Sequence, residues 1–96
     1  MAAENDIFKI ALYTAEKWGS KQAKIYSKKL EKGMEQLALQ EGFYKSLNRF
    51  TPPVLVKHCE HHYIFGQQEG KSFFIIAVLH EQMETITHIT KRLDYS

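Results

Sequence analysis

The chain has a single cysteine, two prolines, one tryptophan and no long apolar run, and each scarcity removes a class of protein. A lone Cys59 forbids an internal disulfide framework and fits a reducing compartment, where such a thiol behaves as a small apolar group. No stretch approaches the roughly 18 consecutive apolar residues of a membrane span. The opening Met1-Ala2-Ala3-Glu4-Asn5-Asp6 lacks the basic start and apolar core of a signal peptide, so the expected location is the cytoplasm, without membrane contact. There is no repeat and no low-complexity segment. Nor does any nucleophile motif or phosphate loop name a reaction, and the expectation is a chain without metal or cofactor.

The 96 residues are expected to form one domain, spanning 1–96, and a domain of this size is marginal in stability unless a partner helps. The net charge of +2 is too small to imply nucleic acid, but it is unevenly spread. Residues 1–50 carry nine basic and six acidic side chains, residues 51–96 four and five. Much of the excess lies in Lys21, Lys24, Lys28, Lys29 and Lys32, which on a helix form a solvated face or one suited to an acidic protein. No aromatics interleave with them as a base-stacking platform requires, so direct nucleic-acid binding is not expected.

Periodicity divides the chain into a helical half and a strand half. At about 100° per residue, Ile7, Phe8, Ile10, Ala11, Leu12, Thr14, Ala15 and Trp18 share one broad arc. An arc so wide predicts contact with both a second helix and a sheet. Gly19 ends this helix and Ser20 is expected to cap the next, over about Lys21 to Leu39, with Ala23, Tyr26, Leu30, Met34, Leu37 and Ala38 as its apolar stripe. The short connection predicts a helical hairpin. Thr51-Pro52-Pro53 then turns the chain into extended runs at 54–56, 63–65 and 73–79, with Gln68-Glu69-Gly70-Lys71 turning between the last two. The third run is apolar on both faces, which predicts a central strand covered above and below. Ile86, Ile89 and Leu93 predict a short terminal helix, with Lys91 and Arg92 near its C-terminal end.

Two constellations invite chemistry and do not carry it. His80-Glu81-Gln82-Met83-Glu84 begins like a zinc-protease helix, but Glu84 stands where the second histidine belongs and His80 ends a strand. His58, Cys59, His61 and His62 are close in sequence, yet in extended chain Cys59 and His61 face one way and His62 the other. RNA cleavage through the 2′-hydroxyl needs positive groups converging on the developing phosphorane. The strand half offers only Lys57, Lys71, Lys91 and Arg92.

A resemblance supplies what these residues alone do not. Tyr13-Thr14-Ala15-Glu16-Lys17-Trp18-Gly19, Gln22-Ala23, Tyr26-x-x-x-Leu30, Leu37-Ala38, His62-Tyr63-Ile64-Phe65 and Val78-Leu79-His80-Glu81-Gln82-Met83-Glu84 resemble the ParE-type toxins of the RelE/ParE superfamily, the plasmid stabilisation proteins. The likeness implies an α+β fold, an N-terminal helical hairpin packed on a small antiparallel sheet with a short C-terminal helix. It also implies the toxin of a type II toxin–antitoxin pair that poisons DNA gyrase in bacteria and is neutralised in a hetero-oligomer with a cognate, ParD-like antitoxin. RelE-like relatives instead cleave messenger RNA on the ribosome with basic residues on the sheet, and an inactive antitoxin-binding relative is the third alternative. Leu79-His80-Glu81, with no arginine at the end of the last strand, favours the ParE branch and an inhibitor of another enzyme rather than a catalyst.

The expected surfaces follow from that resemblance. His80, Glu81, Met83, Lys91 and Arg92 are candidates for the toxic, target-binding surface; Phe8, Leu12, Tyr13, Phe74 and Ile76 for the antitoxin-binding surface; no residue is assigned to catalysis or to metal. The family usually opens with a strand, whereas only Met1-Ala2-Ala3 precede the first helix here, so an open sheet edge is expected to receive extended backbone from the antitoxin. His58-Cys59-Glu60-His61 also replaces a segment where many relatives carry arginine.

Overall fold

A computed structural model describes residues 2–94. Two helices, α1 (Ala2–Trp18) and α2 (Ser20–Ala38), precede strands β1 (Lys45–Leu47), β2 (Val54–Cys59), β3 (His62–Glu69) and β4 (Ser72–His80), and α3 (Thr85–Asp94) follows. All strand pairs are antiparallel and the spatial order is β1-β2-β3-β4, a meander. The α+β class and the helical hairpin are as the sequence predicts.

The hairpin turns on one residue. Gly19 adopts φ 94°, a conformation that other residues enter only with strain, and it donates its N–H to Ala15 while accepting from Ala23. Ser20 is already helical, and the expected side-chain cap is absent. What holds α2 is packing. Leu30 and Leu37 are fully buried against Ile64 and Val78, and each such side chain contributes roughly 1.5–3 kcal/mol. Gly33 allows the close approach, since a Cβ there would stand 2.9 Å from Ile64 Cδ1 and 3.0 Å from Cys59 Sγ. Ala38, expected on the stripe, is exposed.

The broad arc of α1 is only partly used. Ile7 and Ile10 pack against the core, whereas Phe8, Leu12 and Trp18 are exposed. One four-stranded sheet and one neighbouring helix do not wrap that much of a cylinder. On the opposite face of the sheet, Val54, Phe65, Ala77 and Leu79 are covered by Ile89 of α3, with Leu93 and Phe50 packed alongside. α3 therefore supplies the second cover that the apolar third run requires.

β4 is nevertheless the outermost strand, not a central one. Phe65 pairs with Ala77 but Gly66 pairs with Ile75, which leaves Ile76 as the extra residue of a β-bulge. Ile76 and Ala77 consequently turn to the same core cluster, beneath α3. β1 was not foreseen, because three exposed or half-buried residues carry no usable alternation.

A carboxylate and a guanidinium close the bulged edge. Val78 N–H donates to Asp6 Oδ2 at 2.9 Å, and Arg92 Nη1 donates to the Ile76 carbonyl at 2.9 Å. Arg92 also grips Asp6 through both nitrogens, at 2.8 and 3.0 Å. The β4 edge of the sheet is thus blocked at its centre by the molecule's own side chains. The Asp6 and Arg92 side chains are only 12% and 27% exposed.

Removing either partner strands the other in a poorly solvated position. Asp6→Asn and Arg92→Gln are each expected to lower stability by about 2–3 kcal/mol in urea denaturation. The double variant is expected to lose less than the sum, which a double-mutant cycle measures.

Candidate functional site

The end of the sheet beside the helical hairpin concentrates polar chemistry. The turn from β2 to β3 passes through Glu60 at φ 56° and carries His58, Cys59, His61 and His62, while the end of β4 brings His80 and Glu81. His62 and His80 are register partners, so their rings meet edge to face at 5.2 Å. Glu81 extends the ladder by donating its N–H to the His61 carbonyl at 2.9 Å.

The histidines separate into two groups. Outside, the Glu81 carboxylate is clasped by His58 Nε2 at 2.8 Å and His61 Nδ1 at 3.1 Å. These two hydrogen bonds hold the Glu81 carboxyl below its ordinary range. Inside, Tyr26 of α2 places its hydroxyl 2.6 Å from His62 Nδ1 and accepts the His61 N–H at 3.1 Å. Burial, reinforced by His80 and His61, pushes His62 down to about 4, and burial pushes Tyr26 up. His62 and Tyr26 are therefore neutral near pH 7, and one hydrogen bond joins their side chains. His80 Nδ1 accepts the Gln82 N–H at 3.1 Å.

Cys59 belongs to neither group. Its thiol lies toward α2, 3.4 Å from the Lys29 carbonyl, and burial pushes its pKa up. Among the described residues no three His, Cys, Asp or Glu side chains converge in a way that holds a metal ion.

A groove of about 850 Å³ opens between this sheet end and the outer half of the helical hairpin. Tyr13, Trp18 and Tyr26 line the helical wall, and His62, His80 and Glu81 the sheet wall. A second groove, of about 400 Å³, lies where Ile7 and Met34 approach Phe73 and Phe74.

The residues expected to form the target-binding surface are at least partly exposed, with Arg92 engaged by the protein itself. His80 and Glu81 line the large groove; Met83 is 40% exposed in the turn leading to α3; Lys91 is exposed on α3. Arg92, expected as a helix-end charge, turns inward to Asp6. Of the residues expected to meet the antitoxin, Phe8, Leu12 and Tyr13 are exposed along α1, and Phe74 contributes to the second groove. Ile76 is half-buried under α3 instead, because the bulge turns it inward. Sequence reasoning missed Tyr26 as a polar participant, since its place on the apolar stripe marks it as core. Its partner His62 lies 36 residues away, and no local spacing signals the pair.

Because the folded state holds His62 neutral, the unfolded chain binds a proton more readily as pH falls from 6.5 towards 4. Stability should be full above about pH 6.5 and decline through that window. Solvent screening of this half-buried ring limits the loss to on the order of 1–2 kcal/mol. His62→Asn, which retains a polar atom for Tyr26, should flatten this part of the profile in urea denaturation followed from pH 4 to 8.

Comparison with known proteins places this geometry in a family. Residues 1–85 match the model of the ParE toxin of the type II toxin–antitoxin system, parDE. The chain is also 38% identical over 92 residues to Toxin ParE of Escherichia coli, an alignment covering 95% of this chain and 89% of that relative. A match over this length, on the fold that the hairpin and meander build, is shared descent: the chain belongs to the ParE toxins of type II toxin–antitoxin systems.

Proposed function

We propose that this toxin arrests growth by binding DNA gyrase in the bacterial cytoplasm, and that a ParD-like antitoxin restrains it by covering its exposed apolar surface. The observation that carries binding over RNA cleavage is the clasped Glu81. At the end of the last strand, a cleaving enzyme needs positive charge against a phosphorane. This chain presents there a carboxylate held ionised by His58 and His61. Such an end repels phosphate and suits a protein surface.

The antitoxin reading rests on α1. Phe8 and Leu12 are one helical turn apart and each 53% exposed, and the small groove beside Ile7 and Phe73 continues the apolar surface. A small domain leaves such a stripe uncovered at a cost in solubility, and a partner segment that lies along it removes that cost. His80, Glu81, Met83 and Lys91 are retained as candidates for target contact.

Purified toxin is expected to inhibit gyrase supercoiling, with relief by the antitoxin encoded beside it. Intact message in a ribosome cleavage assay should accompany that inhibition; cleaved message with active gyrase would replace this reading with the ribonuclease one. Phe8→Glu is expected to weaken antitoxin binding by about tenfold or more in calorimetry, with the helical circular dichroism unchanged.

A further inference from the structure

The sheet has two edges, and the molecule closes one of them. β4 gives its outward groups to Asp6 and Arg92, whereas β1, the outermost strand on the other side, has Lys45 and Ser46 exposed. Among the described residues the hydrogen bonds of β1 run to β2, from the Ser46 hydroxyl to Asn48, and from the Phe50 N–H to the Leu47 carbonyl. The registers fix which of its backbone groups face out. Antiparallel pairs alternate between residues that exchange both backbone bonds and residues that exchange none. Val78 directs its N–H outward to Asp6, so its partner Ile64 turns toward β2 and the next residue, Phe65, toward β4. Val56, opposite Phe65, therefore turns toward β1 and meets Lys45. Ser46, one residue on, points its N–H and C=O away from the sheet, where no strand of this chain meets them. Beside this edge stands Phe43, two residues before β1 and 94% exposed, the most exposed large apolar side chain among the described residues. It lines neither groove.

We infer that β1 pairs antiparallel with β1 of a second copy of this chain about a two-fold axis at Ser46, joining two four-stranded sheets into one. An axis normal to the sheet sets one residue opposite its own copy, because opposed side chains share a face. Charge selects that residue. Centring on Lys45 opposes two ammonium groups, and centring on Leu47 runs Lys45 against Arg49 of the other copy. Like charges across a pair are unfavourable. Centring on Ser46 opposes Lys45 to Leu47 and lets the two Ser46 residues exchange both of their outward hydrogen bonds. The antiparallel order then carries Phe43 to the turn after the other copy's β1, where Arg49 offers a cation to its ring and Phe50 an apolar edge. A foreign strand gains few bonds from an edge of three residues. The two-fold axis makes every contact twice, which favours a copy of this chain over an unrelated segment. The pairing uses no residue assigned to antitoxin or target and does not depend on the toxin reading.

Sedimentation equilibrium of the purified chain reads the pairing directly. A monomer–dimer equilibrium that dissociates on dilution is expected. Ser46→Pro removes an N–H that β2 does not use, and should weaken the dimer by about tenfold or more with the circular dichroism unchanged. Phe43→Ser should weaken it by about the same factor. A cross-link tests the register independently of these variants. In a Cys59→Ala background, Ser46→Cys should form an intermolecular disulfide on mild oxidation, since its Cα lies about 5.5 Å from that of its own copy, and Lys45→Cys should not. A chain that stays monomeric at the highest concentration at which it dissolves would overturn the inference. So would a dimer indifferent to Ser46→Pro, or a cross-link through Lys45→Cys alone. A monomer whose antitoxin binding is abolished by Ser46→Pro would give the edge to the antitoxin instead.

Discussion

The contact on which the arrangement depends is the pair Asp6 and Arg92 at the bulged edge of β4. Asp6 comes from α1, Arg92 from α3, and between them they take the Val78 N–H and the Ile76 carbonyl. Helices on opposite faces of the sheet are thereby tied to its outermost strand at one point. A bulge leaves backbone groups out of register with a neighbouring strand, and an unpaired edge invites association with other chains. Filling those groups from within the molecule answers both problems with one ion pair. Asp6 in turn holds the Arg92 guanidinium more firmly protonated than usual.

The same bulge divides the apolar run of β4 between two cores. Val78, Ile75 and Phe73 serve the helical hairpin, while Ile76, Ala77 and Leu79 serve the α3 side. Neither core alone is large, and the fully buried Leu30, Leu37, Ile64, Val54, Phe65 and Ile89 are shared between them. This explains how the described chain can leave Phe8, Leu12 and Trp18 at its surface. The apolar part of α1 that the cores do not need remains exposed.

The polar end of the sheet shows a complementary economy. Antiparallel pairing puts His62 beside His80, and the β2–β3 turn returns His61 to Glu81. The outer histidines hold a carboxylate ionised and the inner one is held neutral against Tyr26. Histidines that read as a tempting metal cluster along the chain thus part into two hydrogen-bonded groups in space. Charge of either sign is kept off the floor of the groove, where Tyr26 and His62 meet.

Local pattern was enough for α1, α2, the β3–β4 hairpin, α3 and the family, because helical and extended periods and a turn glycine are short-range signals that neighbours in sequence share. Tertiary structure decided the rest. The seven apolar residues of Phe73–Leu79 read as a central strand, and only the sheet order and the bulge show an edge strand covered on both faces. Arg92 reads as a favourable helix-end charge, and only the fold brings it to Asp6, 86 residues away. The groove is likewise invisible in sequence, since Trp18 of α1, Tyr26 of α2 and Glu81 in the turn after β4 meet only through packing. Periodicity records which face of an element is apolar; it does not record which partner that face meets, because that is set by long-range contacts made only when the chain closes.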